Sequence, residues 1–435
     1  MHKTYELPTF PPAPQPVEFI AELSEVKLVG SSAVMRCRSK RFEPLVHNFY
    51  GTQCEVTFEP PVEGADYSVR LDFCTPEIMR VRWCKGESVP EHDTPMVVGE
   101  FPAPVKVRMD ELSDKVVLET AAIRVEILRE PWQMRVLDLQ GNLVWATRPV
   151  DIEPLRRPVV QWNPPQERWL FLHRYAYPCG LTAEGTKTAF ASFDLRHDEH
   201  IYGLGEDFGR LDKRNVERRL WIQEGFGNAS PASYKQTPFY ISTRGYGLYW
   251  NTSNALKYNI GSLEHTALSV VVEETDLVDF YWIYGPSMKE ILPRYTAITG
   301  APGVPPEWTF GLWMARITYD NQAQVEAVAE ELRAHQIPCD VIHIDTGWYE
   351  IEWVCDLDFS HTRFPNPFEM MARLREKGFR VSLWQLPNLI IESCLFAEAA
   401  EKGYLAKRPY GKPYLLSGFL SEAGILDYSN AEAVA

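Results

Sequence analysis

The rhythm of the chain changes once, near Gly285, and that change constrains the fold more than any other feature. From about Pro16 to Trp282 the sequence runs in short alternating or apolar segments, such as "HTALSVVVEETDLVDFYWIYG" from His265, separated by Gly, Pro, Asn and Asp turns. Successive side chains of a strand point to opposite faces, so short alternating runs with almost no helical spacing predict a layered antiparallel β-sandwich. "LDLQGNLVW", Leu137 to Trp145, predicts a hairpin turning at Gln140, Gly141 and Asn142.

Beyond Gly285 the period lengthens. "PSMKEILPRYTAITG" places Met288, Ile291 and Leu292 at helical spacing, and "APGVPPEW" then interrupts the chain. Strand and helix patterns alternate from there: "WTFGLWMA", then "NQAQVEAVAEELRAHQ" with Val325, Val328 and Leu332 on one face, then "CDVIHID". "NPFEMMARLREKG" follows, with Phe368, Met371 and Leu374 on one face and a glycine stop, and then "FRVSLWQLP". Apolar strands alternating with helices mean a parallel sheet covered by helices. The strands end in aromatic and polar groups rather than a glycine-rich phosphate loop, which favours a barrel over a doubly wound sheet. The fold expected is therefore multidomain, β plus α/β: an N-terminal β-sandwich over 1–285, a helical linker over 286–303, and a truncated (β/α)8 TIM barrel over 304–435. A complete barrel of about 250 residues would not fit in the last stretch.

Composition narrows the partners. A net charge of -15 with no Lys/Arg run argues against nucleic acid and against an anionic membrane surface. The eight cysteines show neither C-x-x-C nor zinc spacing and read as buried thiols of a cytoplasmic protein. The N-terminus lacks a signal-peptide core, and no apolar run approaches the roughly 18 residues of a membrane span.

In a barrel the ligand meets the C-terminal ends of the strands. Asp345, closing "CDVIHID", is placed there, as are Trp384 and the Trp313–Arg316 pair of "WMAR". The competing reading makes Asp345 a cap for the turn that follows. His343 shares its strand face, so H-x-D is also half of a metal site, against which stands an ordinary core histidine. "YGLGEDFG", Tyr202 to Gly209, has the wrong spacing for a nucleotide loop and reads as a turn of the sandwich. Trp313, Trp348, Trp353 and Trp384, interleaved with Asp345, Glu350, Glu352, Asp356 and Asp358, suggest a sugar site, since indole faces stack on C–H faces and carboxylates take hydroxyls. The alternative for these tryptophans is core packing.

Six segments in order, "YGLGEDFGRLDKR", "YKQTPFYISTRGYGLYWN", "PPEWTFGLWMARITYD", "VIHIDTGWYE", "CDLDFSHTRFPNPFEMMARLREKGFRVSLWQLPN" and "GYLAKR", resemble glycoside hydrolase family 31. The likeness runs from about Tyr202 to Tyr428, more loosely over the preceding sandwich, and is greatest to the bacterial α-xylosidase branch. It implies a galactose-mutarotase-like sandwich and a retaining α-glycosidase that needs no cofactor and no metal. Asp345 then holds hydroxyls of the sugar in the -1 subsite, and Trp384 walls that subsite. Thr346, Gly347 and Trp348 shape the space around the C5 substituent, and Glu224 dips from a sandwich loop. A retaining mechanism needs two carboxyl groups about 5–5.5 Å apart. The family's two catalytic aspartates match nothing in this chain, so no catalytic residue is assigned within it. The expected partner is an oligosaccharide or α-glycoside, and a homo-oligomer is left open. Two alternatives stand beside this: a non-catalytic sugar-binding remnant, and a metal-dependent hydrolase built on His343 and Asp345.

Overall fold

The computed structural model describes residues 15–49, 53–101, 103–151, 160–163, 168–171, 177–223, 232–417 and 421–435. They form two compact units, 1–301 and 302–435.

The first unit is built from antiparallel strands. A 13-stranded sheet has Val17–Val29, Ser32–Phe42, Val62–Thr75 and Ile78–Lys85 at its centre, continuing on one side through Leu277–Tyr284 to Ile201–Gly205 and on the other through Thr188–Asp194 to Val216–Leu220. A five-stranded sheet, from Leu143–Ala146 to Arg108–Glu111, packs against it. Strand Ile123–Leu128 alternates as expected, with Ile123, Val125 and Ile127 buried in one core with Trp83, Phe280 and Trp282. Trp145 ties the layers together, its ring 5.0 Å from Phe193 and 6.2 Å from Trp282. The expected hairpin is present: Gln133–Asp138 pairs with Leu143–Ala146. Gly141 supplies the positive φ of 85° that the turn requires, and the Asp138 carboxylate accepts the Asn142 backbone N–H at 2.8 Å.

Helix Met288–Thr299 lies on this unit with a different face from the one expected. Ile291 and Ile298 are buried, whereas Met288 and Leu292 are 37% and 47% exposed. The docking stripe is Ile291, Tyr295 and Ile298, spaced by one turn each, and the Tyr295 ring stacks on Phe239 at 3.8 Å. A Cβ on Gly247 or Gly285 would stand 2.7 Å from Ile291, so these glycines permit the close approach that draws the stripe round to Ile291.

The second unit opens with three parallel strands, Trp313–Arg316, Val341–Ile344 and Arg380–Leu383. Helices Gln322–Ala334 and Pro367–Glu376 cover one face, burying Val325, Ala329, Leu332, Met370 and Leu374 on Ile342 and Ile344. The expected stripe of Val325, Val328 and Leu332 is met in substance, with Val328 partly buried. The expected Phe368 contact is not: Phe368 sits in the first turn and is 80% exposed, while Met370, one turn before Leu374, takes the inward place. After Arg380–Leu383 comes an excursion that the periodicity did not reveal. Asn388–Ile390, Glu422–Ile425 and Leu415–Ser417 form a small antiparallel sheet, and helix Cys394–Glu401 packs Ala399 against Leu389 and Leu405. Asn430 caps the short helix Ala431–Val434, accepting the Glu432 N–H at 3.0 Å. Among the described residues no helix is long and apolar enough to cross a membrane.

Candidate functional site

Strand register decides which side chains share a face. Ala315, His343 and Ser382 stand side by side across the three strands, and Arg316, Ile344 and Leu383 in the next row. Because faces alternate, Trp313, His343 and Ser382 point away from the helices, and Asp345 and Trp384 prolong that face. The Trp384 N–H donates to the Ile344 carbonyl at 2.9 Å, which carries the pairing past the strand end.

Trp313 and Arg316 are not brought together. Trp313 opens its strand beside Val341, four residues before Asp345, roughly 13 Å along a strand. Its ring pairs with Trp308 at 6.0 Å and its Nε1 donates to the Thr309 carbonyl at 3.1 Å. Arg316 ends the strand on the opposite face, its guanidinium 5.6 Å from the Tyr319 ring. Glu224 lies outside the described residues.

Asp345 does cap the turn that follows it, its Oδ1 accepting the Thr346 N–H at 2.8 Å. That leaves Oδ2, which faces His343 Nε2 at 3.6 Å, with the side chain a quarter exposed. The capping and ligand readings are thus compatible, because each uses a different oxygen. Thr346 is fully buried and its hydroxyl donates to Glu352 Oε1 at 2.9 Å. Thr318, from the loop after the first strand, donates to the same oxygen at 2.5 Å. These two hydroxyls hold the Glu352 carboxyl below the ordinary glutamate value. Gly347 packs so tightly that a Cβ there would stand 2.5 Å from the Thr318 methyl carbon. Glu352 and Thr318 therefore lock the Thr346–Gly347 turn from outside.

The tryptophans divide. Trp348 is only 4% exposed and packs on Tyr349 and Phe359, at 4.1 and 4.8 Å. Its Nε1 and the Tyr349 hydroxyl both donate to the Trp384 carbonyl, at 2.8 and 3.0 Å. Trp348 thus supports the backbone of Trp384 from within the core. Trp384 itself is half-buried, with Trp353 edge-on at 5.4 Å and 77°. Trp353 has a φ of +72°, a region that bulky residues rarely adopt.

Asp356 joins the loop after the second strand to the excursion after the third. Its Oδ1 accepts from the Ser393 hydroxyl at 3.0 Å and the Cys394 N–H at 3.3 Å, at the start of helix Cys394–Glu401. A carboxylate at a helix N-terminus is favoured by the unpaired N–H groups there. Among the described residues no group of three or more His, Cys, Asp or Glu side chains could hold a metal ion, and His343 Nδ1 is already engaged by Ser382 Oγ at 3.2 Å.

In the first unit, "YGLGEDFGRLDKR" closes on itself. Asp207 and Lys213 pair at 2.7 Å with side chains only 5% and 6% exposed, and Asp207 also accepts the Gly209 N–H at 2.7 Å. Its loop N–H groups and cation are spent internally, as a turn of the sandwich requires.

A sheet-rich unit followed by parallel βα units, with a half-buried carboxylate and indole at the strand ends, defines the class: a multidomain carbohydrate-active protein. Two family models match the chain, the glycosyl hydrolase 31 N-terminal galactose mutarotase-like domain over 68–258 and the glycosyl hydrolases family 31 TIM-barrel domain over 302–435. The chain belongs to glycoside hydrolase family 31. It is 38% identical over 240 residues to alpha-xylosidase XylQ of Lactiplantibacillus pentosus, covering 54% of this chain and 31% of that protein. It is 32% identical over 256 residues to an alpha-xylosidase of Emericella nidulans, covering 58% and 33%. The chain thus spans about a third of the length of these relatives. A Flavobacterium johnsoniae family 31 dextranase, solved with glucose, superposes with a TM-score of 0.75 at 22% identity over 95% of this chain and 45% of that one. A family 31 α-xylosidase from a soil metagenome, solved with xylose, gives 0.69 at 20%, over 94% and 54%. At these identities the structural likeness establishes the fold.

Proposed function

We propose that the chain forms part of a retaining α-glycosidase that removes terminal α-linked xylose or glucose from oligosaccharides by double displacement. The second unit is the opening portion of a (β/α)8 barrel, and the nucleophile and acid/base come from residues outside 1–435. The observation that carries this reading is Asp345, half-buried at the end of the second parallel strand, with one oxygen anchored and the other turned to the face that also carries Trp384. Asp345 and Trp384 hold the terminal sugar, and Thr346 and Gly347 bound the space beside it. Xylose is placed ahead of glucose on the 38% and 32% identities to α-xylosidases.

The other loop carboxylates support placing the chemistry elsewhere, because each has a structural task. Glu352 takes two threonine hydroxyls, Asp356 a helix start, Asp358 the Phe359 N–H and Asp427 the Ser429 hydroxyl and N–H. The free thiols at Cys37, Cys74, Cys84, Cys179, Cys339, Cys355 and Cys394 are consistent with work in the cytoplasm.

Hydrolysis of p-nitrophenyl α-xyloside and α-glucoside tests the reading. The isolated 435-residue chain is expected to give no turnover, and turnover by it would place both catalytic carboxyls inside the chain. In the complete enzyme Asp345→Ala should lower kcat/KM by about 100-fold or more, since bonds from sugar hydroxyls to a carboxylate strengthen in the transition state. A drop of less than threefold would leave Asp345 with its capping role alone.

A further inference from the structure

We propose that His343 is a positioning residue for Asp345, locked in one tautomer by Ser382. The inference deepens the reading of Asp345 as the acceptor of sugar hydroxyls and, for its effect on turnover, rests on that reading.

The parallel ladder sets the contact. His343 and Ser382 are register partners on neighbouring strands, so the Ser382 hydroxyl meets Nδ1 at 3.2 Å without any loop to place it. The opposite edge of the ring, Nε2, faces Asp345 Oδ2 at 3.6 Å. A hydroxyl can donate or accept, whereas an ionised carboxylate only accepts. A neutral imidazole carries one N–H, and the edge turned to the carboxylate is where that proton is stabilised. Nδ1 is then the bare nitrogen, and Ser382 must donate to it. The order is Ser382 O–H to His343 Nδ1, then His343 Nε2–H toward Asp345 Oδ2, with Asp345 Oδ1 already accepting the Thr346 N–H. At 3.6 Å the last step is longer than a hydrogen bond and acts as a directed electrostatic contact. It biases the carboxylate's rotation, so that Oδ2 keeps a lone pair for a ligand instead of swinging freely about the Thr346 anchor. The hydrogen bond at one ring nitrogen fixes the proton at the other, as in any histidine held from behind.

The imidazole 15N spectrum of the labelled 435-residue chain near neutral pH tests the tautomer directly, with Ser382→Ala as the control and His343→Gln assigning the signal. The expected result is a protonated Nε2 and a bare Nδ1 for His343, becoming a mixture in the Ser382 variant. A protonated Nδ1, an imidazolium, or a spectrum unmoved by Ser382→Ala overturns the proposal. In the complete enzyme His343→Ala should lower kcat/KM about tenfold, the scale of one hydrogen bond to a charged group. His343→Gln, whose amide N–H reaches where Nε2–H lies, should recover most of that loss. Equal loss in both variants would reduce His343 to packing. If Asp345→Ala leaves turnover unchanged, the sugar-site reading fails while the tautomer measurement still judges His343.

Discussion

Removing both donors to the Trp384 carbonyl should cost more than the sum of removing each. Tyr349→Phe deletes the 3.0 Å bond but leaves the indole of Trp348 as a partner, so the loss is about 1 kcal/mol, the net worth of one buried hydrogen bond. Trp348→Phe deletes the 2.8 Å bond, worth about 1 kcal/mol, and shrinks a side chain that is 4% exposed, adding roughly 1–2 kcal/mol of lost packing. In the double variant two phenyl rings cover a carbonyl that has no remaining donor, and an orphaned acceptor adds about 1–2 kcal/mol beyond the sum. The total, about 4–5 kcal/mol, is a large share of the stability of a domain. Native-state amide exchange of Val341–Ile344 in rising urea reads the second unit alone and yields the full cycle of four proteins. Additivity within about 0.5 kcal/mol would refute the shared-acceptor argument and return Trp348 and Tyr349 to independent packing roles.

Two further outcomes follow from single contacts. Gly347→Ala drives a Cβ to 2.5 Å from the Thr318 methyl and should lower stability by about 1–3 kcal/mol; adding Thr318→Ser, which removes the methyl but keeps the hydroxyl on Glu352, should restore most of it in thermal unfolding, and no rescue would locate the strain elsewhere. In the first unit, burial raises the Glu199 carboxyl above its ordinary value despite bonds from the Ser242 and Tyr246 hydroxyls at 2.5 and 2.9 Å. Its proton is held more tightly folded than unfolded, so its contribution is full below about pH 4.5 and declines as pH rises through the folded value. Glu199→Gln should therefore gain stability at neutral pH relative to the parent and lose that advantage at pH 4, and an advantage independent of pH would contradict the assignment.

Local pattern exposes some of this and hides the rest. The end of the second strand is legible because an apolar run stops at Ile344 and a carboxylate follows; alternation then puts His343 and Asp345 on one face from the sequence alone. Ser382 is not legible as their neighbour, since the register between strands 39 residues apart is fixed by how the intervening helix packs. Trp313 misleads for a related reason. Its strand begins only after the turn Glu307–Phe310, so the indole stands at the opposite end from Asp345, although "FGLWMAR" gives no sign of where pairing starts. Phe368 is apolar at helical spacing, yet it occupies a first turn that the sheet does not reach, and Met370 is chosen instead. Glu352 is hidden because both its partners are threonines on other turns, and small hydroxyl residues carry no periodic signal.

The bonds from Ser393 and Cys394 to Asp356 have a consequence for how this protein can vary. Two connections that leave different strands are fastened to one another, so neither can be lengthened or re-angled independently. Exchange of the segment from Asn388 to Leu426 between relatives would succeed only when the residue at 356 travels with it. Through descent, the carboxylate and the helix start it grips should be replaced as a pair.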